Sequence, residues 1–231
     1  MLIAEDLLLF TYDDETGRPD GSIAELDLRL AGAILLELAL AGKVAVAGPD
    51  GATDASGTTV KKGRVYVVDA KPTGQPELDR ALENIAAKSR KPAEWMEPLS
   101  RGLRTRLLEG LATRGVLQRE ADRVLRIFPI ARWLPADAAA ETTLRARLTA
   151  VLLGDATPTQ HELALVALGS RTGMVRALIP KERRREAAKR AKELAESNWA
   201  LTATGAAIDQ AAFMAIMPAI FVSTVIVAAS S

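Results

Sequence analysis

Apolar and polar positions alternate along the chain mainly with the period of a helix. Residues 3–10 form an apolar run interrupted by Glu5 and Asp6, which predicts the start of a buried helix. Residues 11–22 are rich in Asp, Gly and Pro and read as a loop. Leu26, Leu30, Ala33, Ile34, Glu37 and Leu38 then keep helical spacing as far as Gly42, a good C-terminal stop. A short β-like stretch follows at 43–46. Thr59-Val60 and residues 65–68 flank Lys61-Lys62-Gly63-Arg64, the signature of a hairpin.

Helical spacing resumes at 77–87, where Leu78, Leu82 and Ile85 share a face, and continues over 95–113 to a stop at Gly115. A second β-like pair covers 116–118 and 123–130, and 142–153 is helical again. Thr157-Pro158-Thr159-Gln160 has the form of a capping box with Pro at the first helical position, opening a helix over 160–168. Residues 171–178 and the charged segment 181–197 predict two more helices, and 199–229 is strongly apolar. The pattern as a whole is that of a mainly α, single-domain protein, residues 1–231, built around a buried hydrophobic central helix with peripheral β-hairpins.

One internal echo stands out. Residues 35–44 and 107–116 each run from a Leu-rich helix through a Gly into a β-like segment, the outline of a winged-helix unit. A true duplication and a merely common way of ending a helix both account for it.

Composition narrows the functional classes. Thirty basic and 29 acidic residues give a net charge of +1, so an anion site has to be a local patch rather than a whole-chain field. Apolar residues make up 48% and aromatics only 4%, so Leu, Ala, Val and Ile fill the core. The absence of cysteine removes disulfides, thiolate metal sites and cysteine nucleophiles together; it leaves the compartment open, with a reducing cytoplasm as the natural default. The N-terminus carries Glu5 and Asp6 where a secretion signal would carry Lys or Arg. Ala and Arg are abundant and Lys is scarce, a bias associated with GC-rich bacterial genomes.

Catalytic chemistry finds little support. His161 is the only histidine, so no second one completes a metal site with it, and no Gly-x-Ser-x-Gly elbow offers it a serine nucleophile; it reads as a surface residue. The glycines near Gly51 and Gly57 lack the Gly-Lys-Ser/Thr ending of a phosphate-binding loop. Glu5/Asp6 and Asp13/Asp14 read as solvated or capping carboxylates. The expectation is a protein that is not an enzyme, with no catalytic residue, metal or cofactor.

Basic and apolar residues together carry the positive signals. Arg101 and Arg104 are three apart beside the stripe Leu99, Leu103, Leu107 and Leu111, so one helix would project both guanidinium groups from one side. Such a pair can grip a phosphomonoester through forked, charge-assisted hydrogen bonds, and it equally suits an ordinary solvated face. Val124, Leu125, Ile127 and Phe128, with Arg123 and Arg126 among them, suit either a loop dipping into a bilayer interface or a strand packed on the core. The run 181–192 interleaves Lys and Arg with Glu; it reads as a solvated helix face, with a polyanion-binding stripe as the sharper alternative. Residues 211–229 hold 19 positions without a charge, just enough for a membrane span. Pro218 within them, Asp209 at their entrance and no Lys or Arg after them favour a buried core helix.

The segment Leu30-Ala31-Gly32-Ala33-Ile34-Leu35-Leu36-Glu37-Leu38-Ala39-Leu40-Ala41-Gly42 closely resembles the Gly-x-x-x-x-Glu-Leu-Ala-Leu-x-Gly signature of the Golgi phosphoprotein 3 family. The opening Leu2-Ile3-Ala4-Glu5-Asp6-Leu7-Leu8-Leu9 is similar to that family's N-terminal core segment. Lys71-Pro72-Thr73-Gly74, Leu78-Asp79-Arg80-Ala81-Leu82, Arg114-Gly115-Val116-Leu117, residues 163–168 and residues 188–194 also match, in the same order along the chain. The resemblance implies one largely helical domain with a projecting apolar β-hairpin, and by composition a bacterial member. Eukaryotic members bind phosphatidylinositol 4-phosphate on Golgi membranes and help retain glycosyltransferases by their cytoplasmic tails. Their head-group pocket uses a Trp and an Arg near the signature, where this chain has Ser22 and Ala31, with Arg29 nearby. It also uses two Arg three apart on a later helix, which correspond to Arg101 and Arg104.

The resulting expectation is a cytoplasmic, peripheral membrane-associating adaptor. Arg101 and Arg104 would hold an anionic, phosphoinositide-like head group while Val124, Leu125, Ile127 and Phe128 insert shallowly. A few inserted side chains contribute only about 1.5–3 kcal/mol each at full burial, so stable attachment calls for a homo-oligomer or for a partner such as the cytoplasmic tail of a membrane protein. Two rivals stand beside it: a protein-binding scaffold without lipid specificity, and a winged-helix-like nucleic-acid-binding regulator. The net charge of +1 and the very apolar helix at 26–40 weigh against nucleic acid as a partner.

Overall fold

The longest apolar stretch of the N-terminal half becomes α2, Ile23–Leu40, twelve of whose eighteen residues are buried. A helix apolar on nearly every side must be surrounded by other elements rather than lie on a surface. Its polar exceptions are used. Glu37 accepts the backbone N–H of Ile3, at the free N-terminal end of α1, Ile3–Thr11, at 2.9 Å. The computed structural model describes residues 1–13, 15–19, 22–124, 128–136, 138–169 and 173–196, and the expectation for 211–229 lies outside them.

The chain forms two compact units. One comprises, among the described residues, 2–4 and 24–104. After α2 it holds β1 (Val44–Val46), β2 (Ala52–Thr53), β3 (Thr59–Val60), β4 (Val65–Val67), α3 (Pro76–Ala87) and α4 (Pro92–Ser100). The other comprises residue 1, 5–23 and 105–197. It contains most of α1 and of α5 (Leu103–Thr113), then β5 (Leu117–Val124), β6 (Phe128–Pro135), α6 (Ala138–Leu153), α7 (Gln160–Gly169), α8 (Met174–Leu178), a single 3-10 turn at Lys181–Arg183 and α9 (Arg184–Glu196). Helices dominate and, among the described residues, the strands pair two by two, so the mainly α expectation holds.

The first strands differ from the hairpin expected across Lys61-Lys62-Gly63-Arg64. The turn is there, but β4 pairs with β1 and β3 pairs with β2. Gly63 donates to Ala47 and Ala47 donates to Arg64, which extends the β1–β4 ladder. Residues 48–60 are thus an insertion inside a non-local pair. Within it Asp54 fixes a turn by accepting the backbone N–H groups of Ser56 and Thr58 at 2.9 and 2.8 Å.

The echo between 35–44 and 107–116 has a local cause. At the end of α2, Gly42 donates to Ala39 and Lys43 donates to Leu38; at the end of α5, Gly115 donates to Ala112 and Val116 to Leu111. Both glycines take positive φ, 66° and 71°, so each is the left-handed residue of the same helix-ending motif. Gly154, with φ 84°, repeats it after α6, where Gly154 donates to Val151 and Asp155 to Ala150. No strand follows there, so the motif is a way of stopping a Leu/Ala-rich helix and does not mark a repeated helix–hairpin unit.

The start of α7 is shifted from its expected box. Thr159 accepts the Glu162 N–H at 3.2 Å and Glu162 accepts the Thr159 N–H at 2.7 Å, so the box is Thr159…Glu162, two residues after the expected one. Every residue from Glu162 to Gly169 is buried, so α7, like α1 and α2, is enclosed on nearly all sides. In α9, Ala187, Ala191 and Leu194 are buried while Arg185, Lys189 and Lys192 are exposed, the amphipathic arrangement expected of the charged segment.

Candidate functional site

Arg101 and Arg104 do not stand on one helix. α4 ends at Ser100, Arg101 is its C-cap with φ −58° and ψ 109°, and Gly102 takes φ 66° before α5 begins at Leu103. Gly is the residue that reaches this left-handed region without steric cost, and it breaks the helix that the spacing predicted. Pro98 already weakens the last turn of α4 by removing a backbone donor. Leu99, Leu103, Leu107 and Leu111 are nevertheless all buried, so the apolar stripe survives the break that it concealed. Both arginines therefore flank one turn, and Arg104 falls in the first turn of α5.

Their electrostatic settings differ. Arg101 donates from Nε and a terminal nitrogen to Glu97 Oε1 at 2.8 and 2.6 Å. That pair is exposed, 73% and 66% by side chain, so it contributes little. Arg104 donates from Nε to Asp27 Oδ1 at 2.8 Å, and both side chains are half-buried, at 25% and 30%. Asp27 belongs to α2, so this bond ties two distant parts of one unit together. The first turn of α5 contains no acid and carries Arg104 and Arg106. Cations at the positive end of a helix are electrostatically adverse, by about 0.3–1 kcal/mol each. Asp27 supplies from outside the negative charge that this helix start lacks.

The positions corresponding to the rest of the family pocket do not restore it. Ser22 is exposed, Ala31 is completely buried inside α2, and the neighbouring Arg29 is 8% exposed and bonded to Glu25 one turn earlier at 2.9 Å.

The second candidate feature is a long hairpin. β5 and β6 pair antiparallel over eight residues each, a ribbon about 24 Å long at 3.4 Å per residue. Its register pairs Val124 with Phe128 and Asp122 with Ile130 at the far end. Leu125 and Ile127 lie outside the described residues, as do the side chains of Val124 and Phe128. The near end is anchored. The Trp133 N–H donates to the Gly17 carbonyl at 3.1 Å, and Arg132 donates to the carbonyls of Thr16 and Glu15 at 2.8 and 2.5 Å. Gly17 has φ 63°, and a Cβ there would lie 2.8 Å from the Trp133 nitrogen, so only Gly allows this approach. Trp133 is buried with the Arg119 guanidinium 5.6 Å from its ring centre.

Sequence reasoning missed a buried polar group. Glu5 and Asp6 were expected to be solvated or capping and His161 to be a surface residue. Instead Glu5 is 5% exposed and accepts from Arg114 at 2.6 Å, while Asp6 is 4% exposed and shares a 2.5 Å hydrogen bond with Nε2 of His161, whose own side chain is 33% exposed. The available signal was two acids inside an apolar run, which burial obliges to find partners. Among the described residues no three His, Cys, Asp or Glu side chains gather as a metal site. The carboxyls held below their ordinary values serve local structure. Hydrogen bonds from Thr16 lower Asp13, those from Ser56 and Thr58 lower Asp54, the Lys43 ammonium lowers Asp69, and Thr73 lowers Asp79.

Among the described residues no helix is long and apolar enough to cross a membrane. No curated protein matches the chain. The family model described as Golgi phosphoprotein 3 (GPP34) matches residues 3–211, from the first residue of α1 to beyond the end of α9. That match takes in Arg101, Arg104 and the whole β5–β6 ribbon and covers most of the sequence, so the chain belongs to the Golgi phosphoprotein 3 (GPP34) family.

Proposed function

We propose that this protein is a peripheral membrane-associating adaptor that holds an anionic, phosphoinositide-like head group at the turn between α4 and α5. The observation that carries the reading is the reversed charge of the α5 start: two arginines, no acid, and a helix dipole whose positive end points the same way. A phosphomonoester would satisfy all of these together, through forked bonds from the guanidinium groups and the favourable end of the dipole. Family membership supports the same class of ligand. In this reading the apolar residues at the far end of the β5–β6 ribbon, Val124, Leu125, Ile127 and Phe128, enter the bilayer interface, and attachment is reversible because their number is small.

Liposome flotation tests the proposal. Binding should be stronger to phosphatidylcholine vesicles containing a phosphatidylinositol monophosphate than to phosphatidylcholine alone, and the R101A/R104A double variant should lose that difference. Equal binding to both vesicle types, or an unchanged difference in the double variant, would refute the head-group assignment.

A second reading, a protein-binding scaffold without lipid specificity, has one observation in its favour. Ala31 is completely buried, so no side chain at that position reaches a ligand as the family's pocket Arg does. The same flotation experiment separates the two, because a scaffold shows no preference between the vesicles.

A further inference from the structure

The structure points to a competitor built into the proposed site. We propose that Asp27 occupies the place of a phosphate oxygen on Arg104, so that an incoming phosphomonoester must displace its carboxylate, and that Asp27 thereby sets the affinity of the site. The inference rests on the head-group reading above and adds to it a residue that no sequence motif marks.

The geometry makes the argument. An arginine that grips a phosphate side-on does so through Nε–H together with one terminal N–H. In Arg104 the Nε–H is already given to Asp27 Oδ1 at 2.8 Å. Asp27 also delivers its charge to the α5 start, whose own first turn has none, so it performs both tasks that a phosphate would perform. The two partners are 77 positions apart in sequence and both half-buried, so the bond is tertiary and partly shielded from salt. Arg101 presents a contrast. Its Nε–H is also held, by Glu97, but that pair lies four residues apart on an exposed surface and exchanges readily with solvent. Asp27 is therefore a firmer competitor for a ligand than Glu97.

The substitution Asp27→Asn keeps a carbonyl oxygen as acceptor and removes only the charge. It should tighten binding to phosphatidylinositol monophosphate vesicles about two- to fivefold, the range expected for a partly exposed ion pair. Glu83→Gln, an exposed acid on α3, changes the net charge equally and should alter binding by less than about twofold. The gain from Asp27→Asn should vanish in an R104A background.

A second arm uses inorganic phosphate without vesicles and follows the Arg Nε–H and Asp carboxyl signals by NMR. In the unsubstituted protein, saturation should shift the Arg104 Nε–H and the Asp27 carboxyl carbon together, which requires no variant to fold. A shift of Arg104 with Asp27 unmoved would overturn the proposal. So would vesicle binding that needs Arg104 yet is unchanged by D27N, a result that leaves the head-group reading standing. If no vesicle preference exists but phosphate displaces Asp27, the membrane reading fails and the competitor remains, at a site for a soluble phosphate. If neither occurs, both fail.

Discussion

Glu162 offers the sharpest test of how the unit formed by residues 5–23 and 105–197 is held together. Its side chain is 8% exposed, and it accepts the Thr159 N–H at 2.7 Å and Arg147 Nε at 2.7 Å. Burial, the largest single influence on its carboxyl, pushes the pKa up. The Thr159 N–H, the Arg147 guanidinium and the Thr159 hydroxyl together outweigh it, and the group ends below its ordinary value of 4.5. Glu162→Gln keeps the shape but replaces a charged acceptor in a capping box and an ion pair. A lost cap costs about 1 kcal/mol. A hydrogen bond to a charged group contributes about 1.5–3 kcal/mol, less here because the Arg147 side chain is 43% exposed and screened. The expected loss is about 2 kcal/mol at neutral pH, or about 4–8 °C in Tm for a chain of this size.

The pH dependence follows from the direction of the shift. Just below 4.5 the unfolded chain binds a proton at Glu162 more readily than the folded one, so stability falls with falling pH there. The contribution is complete above 4.5 and disappears as the pH drops through the lowered folded value. The Gln variant has no proton to bind at this position. The stability gap between the two proteins should therefore be constant from neutral pH down to about 4.5 and narrow below it. Asp13, Asp54, Asp69 and Asp79 titrate in the same region but are common to both proteins and cancel in the difference. Urea melts over this pH series, with hydrogen exchange of the α7 amides as a local probe, measure the gap. A gap under about 0.5 kcal/mol at neutral pH, or one that fails to narrow in acid, would refute the reasoning.

Two further perturbations probe the same unit. Gly17→Ala should destabilise it by about 2–4 kcal/mol in urea melts, since it combines a left-handed φ with a Cβ only 2.8 Å from the Trp133 nitrogen. It should also expose the base of the β5–β6 ribbon to hydrogen exchange at Trp133; unchanged protection there would contradict the anchoring role. His161→Ala leaves Asp6, 4% exposed, without this hydrogen-bond partner and should cost about 1–3 kcal/mol, with a coupling of similar size in a double-mutant cycle against Asp6→Asn. Additive losses in that cycle would show that the two side chains do not support each other.

What the sequence made legible is local chemistry. The face of Leu78, Leu82 and Ile85 on α3, the stop at Gly42 and the burial of α2 all follow from spacing over a few residues. The errors have equally physical causes. A period of four through Leu99, Leu103, Leu107 and Leu111 reads as one helix, because the stripe continues while Gly102 turns the backbone. Two overlapping boxes, Thr157…Gln160 and Thr159…Glu162, satisfy the same pattern, and the one used is the one whose acid also meets Arg147. The turn at Lys61-Lys62-Gly63-Arg64 was real, but the ladder it closes involves Ala47, outside any local window. The polar groups that matter most were hidden for the same reason: Arg114 lies 109 positions from Glu5, and His161 lies 155 from Asp6.

The two candidate arginines show where such reading stops. By spacing they are equivalent, and resemblance to the family treats them as a pair. Folding makes them unequal. Arg101 caps α4 and keeps an exposed carboxylate four residues back, an arrangement that needs no ligand and offers little resistance to one. Arg104 sits where a helix start favours an acid, and its adverse placement is tolerated because Asp27 arrives from α2. An arginine held in an unfavourable position by a borrowed anion is a stronger sign of an anion site than any pair three residues apart. At the proposed site the same bond would keep affinity modest, since a phosphate gripping Arg104 side-on would first have to displace Asp27. Removing the charge of Asp27 should therefore strengthen binding where removing that of an acid on the solvated face of α3 does not, and that asymmetry is what the Arg spacing alone could never have specified.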